Sequence, residues 1–242
     1  MCAAIANVRS RFVDHVFHLL ERVECRRVET AADQEAAYKL RYDAYRRENW
    51  IEASKTEKLF DDHYDRSPNG RVFGVFIDGE MASTIRIHVA RDESEALPST
   101  GVFGDVILPR LRQGHGIVDP TRFAVRLEFS RRFPELAYVT TRLSWLAMEH
   151  SEASYLLATI RSEHQAFYKR VFGHVLWSGE RDYPNVNCKI VCMGLDFAEH
   201  KKRVEFRYPF FRSTHEEREK LFGGWAGAKA SRPVGRYRVV QA

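Results

Sequence analysis

Apolar residues recur every three or four positions from Ala4 to Val23, at Val8, Phe12, Val16, Leu19 and Val23, which predicts an amphipathic helix over 4–23. Thr30-Ala31-Ala32-Asp33 reads as a capping box, and Ala36, Ala37, Leu40, Ala44 and Tyr45 carry a second helix to about Glu48. Arg41 and Tyr45 lie one turn apart on it. The period then changes to two, over Arg71 to Ile77 and Glu80 to Val89, and Asp78-Gly79 between them is the preferred two-residue hairpin turn. Alternation places Met81, Ser83, Ile85, Ile87 and Val89 on one face and Thr84, Arg86 and His88 on the other. A covered mid-strand arginine needs an anionic partner. Residues Arg91 to Gly114 read as a loop, interrupted by Pro98, Gly101, Gly104, Pro109 and Gly114. A strand from Ile117 to Phe129 follows, then a helix with Leu136, Val139, Leu143, Leu146, Ala147 and His150 on one face, then a strand from Tyr155 to Ile160. Ser162-x-x-Gln165 opens a helix from Glu163 to Phe172 that Gly173 stops, and strands His174 to Ser178 and Cys188 to Phe197 come next. Ser213-x-x-Glu216 starts a last helix to Phe222, and the tail from Ala226 to Ala242 is expected to be poorly ordered. This order predicts one α+β (α/β layered) domain over 1–242, a mixed, mostly antiparallel sheet flanked by helices. Its parts are the helix 4–23, a core 24–198 and an extension 199–242.

The strand Gly116-Ile117-Val118-Asp119-Pro120-Thr121-Arg122-Phe123-Ala124-Val125 is apolar enough to be buried, yet it holds a carboxylate and a guanidinium. Three residues apart, these point to opposite faces of a regular strand. Pro120 cannot donate to a ladder, so a bulge or splaying is expected there, which would bring Asp119 and Arg122 to one side as an ion pair. An edge strand with two solvated charges is the alternative.

The chain has 242 residues, with 38 Lys and Arg against 33 Asp and Glu, a net charge of +5 that suits an anionic partner without naming it. Cys2, Cys25, Cys188 and Cys192 show no metal-ligand spacing, and of ten histidines the pair His15-x2-His18 shares a helix face, so no metal is assigned. No apolar run approaches the roughly 18 residues of a membrane span, and Arg9, Arg11, Asp14 and His15 stand where a signal peptide needs an apolar centre. A cytoplasmic location is expected, with peripheral membrane contact left open. No nucleic-acid recognition motif accompanies the charge.

Arg41-x3-Tyr45-x4-Trp50, then Asp62-x2-Asp65, then Arg86 in a strand, then Asp119-x2-Arg122-Phe123 resembles the spaced signature of acyl-homoserine-lactone synthases, whose fold is GNAT-like. The second half, with Phe167-Tyr168-Lys169-Arg170, Gly173 and Arg181-x-Tyr183-Pro184-x-x-Asn187, is more similar to FeeM-type N-acyl amino acid synthases of the same fold. The resemblance covers about residues 23–198. It departs from the lactone synthases at Asp119, where they have glutamate, at Tyr45, where they usually have phenylalanine, and at Trp50, which is one position closer. It implies a GNAT-like N-acyltransferase that moves a fatty acyl group from acyl carrier protein to an amine, with acyl-phosphopantetheine as donor substrate and no tightly bound cofactor. A Gly-rich pyrophosphate loop is not evident at Phe129-Ser130-Arg131-Arg132-Phe133-Pro134, which favours a carrier protein over free acyl-CoA.

In that chemistry Asp119, held by Arg122, would take the amine proton through a water, and Tyr168 would return one to the leaving thiolate. Tyr168 reads equally as core beside Phe167 and Phe172. Arg86, Asp62 and Asp65 would shape the site and Tyr45, Trp50 and Arg41 line or cover it, with structural ion pairing as the alternative. Leu143, Leu146, Tyr155, Leu157, Phe167 and Phe172 would wall an acyl tunnel, or form ordinary core. Arg131-Arg132, Lys169-Arg170 and Arg9, Arg11, Arg22, Arg26 and Arg27 would meet an acidic carrier, or are solvated surface. Two function classes follow: an N-acyltransferase, acting on an amino acid or, as a variant, making homoserine lactones from S-adenosylmethionine; and a non-catalytic GNAT-shaped binding module.

Overall fold

In a computed structural model, residues 2–52, 62–184 and 186–225 are described, with side chains from residue 11 onward. The predicted tail and the Ser54 to Lys58 stretch lie outside them. Helix α1 spans Cys2–Leu20 and is followed by strand β1, Val23–Arg27, and helix α2, Ala31–Arg47. The strand β1 was hidden because Val23 continues the helical period, whereas the chain turns at Glu21-Arg22 and pairs with the hairpin. Thr30 caps α2 by accepting from the backbone N–H of Asp33, as the capping-box pattern requires.

The hairpin is β2, Gly70–Ile77, and β3, Glu80–Ala90. Asp78 at φ 52° and Gly79 at φ 83° give the two-residue turn in which both central residues are left-handed. A bulge between Val75 and Phe76 shifts the alternation at its tip. Met81 consequently packs with Tyr45 and Phe76 over α2, across the sheet from Ile85, Ile87 and Val89, which corrects the single face predicted for the five residues.

Residues 91–114 are not a loop throughout, since Thr100–Arg112 forms helix α3. Phe103, Ile107 and Leu111 are buried at helical spacing, and this apolar stripe outweighs the breakers. The helix instead bends at Phe103. Strand β4, Ile117–Val125, ends four residues before the predicted Phe129, because Leu127–Arg132 turns into helix α4. The long helix α5, Leu136–Ser151, leads to β5, Tyr155–Ile160. A 3-10 turn then enters α6, Gln165–Val171, where Ser162 bonds Glu180 rather than capping the helix. Gly173, at φ 98°, ends it. Strands β6, Val175–Asp182, and β7, Lys189–Asp196, precede helices α7, Phe197–Arg207, and α8, His215–Phe222, the last capped by Thr214 and not Ser213.

The seven strands form one mixed sheet in the order β1-β2-β3-β4-β5-β7-β6, antiparallel throughout except between β4 and β5. One face is covered by α1, α5 and the aromatic residues around α7 and α8, and the other by α2 and α3. Residues to Trp225 belong to the core: Phe211, Phe222 and Trp225 are buried, and Arg142 on α5 clamps this segment through the carbonyls of Phe210 and Arg212 and the carboxylate of Glu217. Among the described residues no helix is long and apolar enough to cross a membrane.

The feature that makes a site is the parallel pair. β4 and β5 are joined at Ile117–Tyr155 and Val118–Leu156 and nowhere beyond, so the two strands part at Asp119-Pro120. On its other side β4 stays paired with β3 through Thr121, then accommodates an extra residue where Arg122 and Phe123 oppose Ile85. Arg122 sits at φ 55°, unusual for a residue with a long side chain, and this turn re-aims its guanidinium.

Candidate active site

The bulge carries Arg122 to the α2 face of the sheet, where Arg86 already points. Both donate to one carboxylate: Arg122 through Nε at 3.0 Å and Nη2 at 2.6 Å, and Arg86 through Nη1, to Asp62. Asp62 also caps the short 3-10 turn His63–Arg66, and the turn's Asp65 completes the capping box. Asp65 in turn accepts two contacts of 2.9 Å from Arg41 of α2, and lies 3.4 Å from Arg86. The structure therefore brings Arg41, Asp62, Asp65, Arg86 and Arg122 into one buried network. Burial opposes the charge of Asp62, but Arg86 and Arg122 hold its carboxyl well below the usual carboxylate range. For Arg122 burial is likewise outweighed, by Tyr45 and Asp62, and its guanidinium is held above its ordinary value. Burial pushes Arg41 down and drops neighbouring His88 to about 3, so that imidazole is neutral.

Asp119 is not in an ion pair with Arg122. Its carboxylate is fully buried beside the start of α3 and accepts from the backbone N–H of Ser99 at 2.9 Å and from its hydroxyl at 2.7 Å. The expectation failed because Asp62, which sequence order places far away, claims the re-aimed guanidinium. Burial raises the Asp119 carboxyl to about 6, against the lowering effect of Ser99 and Arg86. Ser99 Oγ lies 3.1 Å from the hydroxyl of Thr159 on β5. Ser99 Oγ is placed to donate to Thr159 as well as to Asp119; when its one hydrogen goes to Asp119, rotation of the Thr159 hydroxyl toward Ser99 completes a chain of the three groups.

That chain ends at a cavity. Its volume is about 450 Å³, and it opens where β4 leaves β5. Pro120, Thr121, Arg122 and Phe123 of β4 form one wall, residues 156–160 of β5 another, and Thr159 lies among them. Tyr45, Trp50, Arg161, Tyr183 and Val186 surround one part of it, with Tyr45 and Trp50 in ring contact at 5.1 Å. Ala137, Thr141 and Ser144 of α5 and Phe167, Tyr168, Phe172 and His174 surround another. Burial lifts the Tyr168 and Tyr183 hydroxyls to about 12, so both are protonated donors.

Of the residues singled out in the sequence, Tyr45, Trp50, Arg122, Leu157, Phe167, Tyr168 and Phe172 line this cavity. Asp62, Asp65, Arg41, Arg86 and Asp119 do not line it; Asp62 is linked to it through Arg122, and Asp119 through Ser99 and Thr159. Leu143 does not line it, nor do Leu146 and Tyr155. The leucines of α5 face the sheet core, and the helix turns its small residues to the cavity instead. A residue that walls a narrow space leaves room for the occupant, so Ala, Thr and Ser are the informative ones on this helix.

A profile of the FeeM N-acyl amino acid synthases matches residues 36–196, about two thirds of the chain. The chain belongs to this family. It is accordingly an acyltransferase of the N-acyl amino acid synthase type. No curated protein matches it in sequence. Among solved structures, FeeM from uncultured soil microbes superposes with a TM-score of 0.64 at 18% identity, covering 78% of this chain and 98% of that one. The CoA-dependent acyl-homoserine lactone synthase BjaI, with SAM and isopentyl-CoA, gives 0.57 at 13% identity over 78% and 89%. A second CoA-dependent acyl-homoserine lactone synthase, MesI, gives 0.53 at 16% over 80% and 97%. At these identities the likeness shows a shared GNAT-like fold.

Ser99 and Thr159 were not among the residues singled out in the sequence. Ser99 lay in an apparent loop and Thr159 in an ordinary strand. A hydroxyl beside the helix start after Pro98, and a threonine in the strand parallel to β4, were the available signals.

Proposed function

We propose that the protein joins a long-chain fatty acyl group, delivered as a thioester on acyl carrier protein, to the amine of an amino acid. The observation that carries this reading is the cavity, mainly apolar and about 450 Å³, running from the parted strands to α5 and α6. At roughly 30 Å³ per methylene-sized unit it has room for ten or more carbons. Burying each methylene contributes about 0.8 kcal/mol, so such a chain is held strongly and an acetyl group is not.

The thioester lies along β4, whose edge is unpaired beyond Val118. The amine nitrogen attacks the carbonyl carbon, the C–N bond forms and the C–S bond breaks. Thr159 takes the proton lost by nitrogen as it turns and gives its own to Ser99 Oγ, and Ser99 gives its hydroxyl proton to Asp119, which near neutral pH is matched to a base. Tyr168 supplies a proton to the departing thiolate. Arg122, fixed by Asp62, and Tyr45 with Trp50 position the acceptor, and the Arg41–Asp65–Arg86 cluster holds that frame rigid.

Purified protein is incubated with acyl carrier proteins bearing chains from about two to about sixteen carbons, spanning the cavity's capacity, the matching acyl-CoAs, and either an amino-acid mixture or S-adenosylmethionine. N-acyl amino acids from long-chain carrier are the expected product. Transfer from acetyl-CoA alone refutes the reading, and lactones from S-adenosylmethionine replace the acceptor.

A further inference from the structure

Four serine and threonine hydroxyl groups lie along helix α5. Thr140, Thr141 and Ser151 each donate to a carbonyl one turn back, at 2.8, 2.8 and 2.7 Å. Ser144 does not: its Oγ is buried, has no hydrogen-bond partner, and its residue lines the cavity. The carbonyl that would satisfy it is one turn away, as for its neighbours, so its orientation is a departure from the helix's own pattern. His174 lines the same cavity, is 2% exposed, and neither ring nitrogen has a partner. The backbone of Tyr168 and Leu156 approaches the ring closely enough to favour its charged form, but neither approach has the geometry of a full hydrogen bond. Burial makes this imidazole neutral, so it offers one N–H donor and one acceptor. Tyr168 meets it edge-on at 5.4 Å and Phe172 at 5.7 Å, so the ring is framed by aromatic side chains.

Buried polar atoms are almost always satisfied, and two such side chains in one apolar wall point to an occupant that completes them. We infer that Ser144 and His174 form a polar subsite for an oxygen atom on the acyl chain, making a hydroxylated fatty acyl group the preferred donor. This rests on the acyl-transfer reading above for the identity of the cavity. A plain hydrocarbon leaves both groups unpaired on entry, whereas a chain hydroxyl donates to one and accepts from the other.

The test has a binding arm and a turnover arm. Free dodecanoic acid and its 3-, mid-chain and terminal hydroxy derivatives are compared by the rise they cause in Tm of the whole protein, and the same chains on acyl carrier protein by kcat/KM. One hydroxylated isomer should bind and turn over about tenfold better than the plain chain, or more. Ser144→Ala and His174→Phe should bring that ratio close to one, with circular dichroism confirming that each variant folds. Equal or better handling of the plain chain by the unaltered protein overturns the inference while leaving acyl transfer intact. A hydroxy-acid preference in Tm that both variants erase, without turnover of any thioester, sustains the subsite and refutes the acyl-transfer reading instead.

Discussion

Asp62→Ala removes the carboxylate on which two buried guanidinium groups converge. Arg86 is fully buried and Arg122 is 8% exposed, and the carboxylate accepts from both as well as from the backbone N–H of Tyr64. Removing one partner of a buried pair costs about 3–5 kcal/mol, mostly because the remaining charge is stranded. Loss of the cap on the 3-10 turn adds about 1 kcal/mol. We expect a destabilisation of roughly 4–6 kcal/mol from these two contributions, read by urea denaturation at pH 7, with acyl transfer lost wherever the variant remains folded. Asp62→Asn keeps the capping oxygen and should fall between. The pH dependence has a definite sign. The carboxyl is held below its ordinary value of 3.8 in the folded protein, so its contribution is complete above about pH 4 and lost as pH falls further. The difference between variant and parent should therefore be constant from pH 8 to pH 5 and shrink below pH 4. A loss under about 1 kcal/mol, or one abolished by 1 M salt, is the behaviour of a surface pair and refutes the argument.

Other consequences follow from single observations. Activity should fall as pH drops through about 6, where Asp119 protonates, and Thr159→Val should lower kcat more than it raises KM; an unchanged kcat removes the relay. Because the Asp119 carboxyl is raised from 3.8 to about 6 in the folded state, the stability it contributes is present below pH 4 and lost as pH rises to 6. Asp119→Asn should thus match the parent at pH 4 and exceed it by up to about 3 kcal/mol at pH 8, while being inactive. At Gly194 on β7 an added Cβ would meet the Trp177 ring at 2.0 Å, and Arg110 covers that ring at 3.6 Å. Gly194→Ala should lower stability by about 1–3 kcal/mol, as overpacking does, and a Tm equal to the parent's would show that the indole moves aside freely.

The amino-acid sequence alone settles the elements whose signals are local. The hairpin was legible because Asp78-Gly79 accepts left-handed backbone, β5 because its apolar run is short and bounded, and α2 because its cap lies three residues from its partner. It also exposed the charged residues that have no ordinary reason to stand in an apolar strand, and the spacing of Arg41, Asp62, Asp65, Arg86 and Arg122. Their partners were another matter. Pairing is a distance in space, and sequence proximity favoured Asp119 for Arg122 when the bulge and the 3-10 turn gave it to Asp62, 60 residues away. The same limit hid Ser99 and Thr159, which become a chain only when α3 and β5 meet across β4. Amphipathic period told which face of α5 is buried but not which buried side borders empty space. Leu143 and Ser144 are adjacent and equally hidden from water, and only the packing of α5 against the sheet and α6 makes one of them core and the other cavity wall.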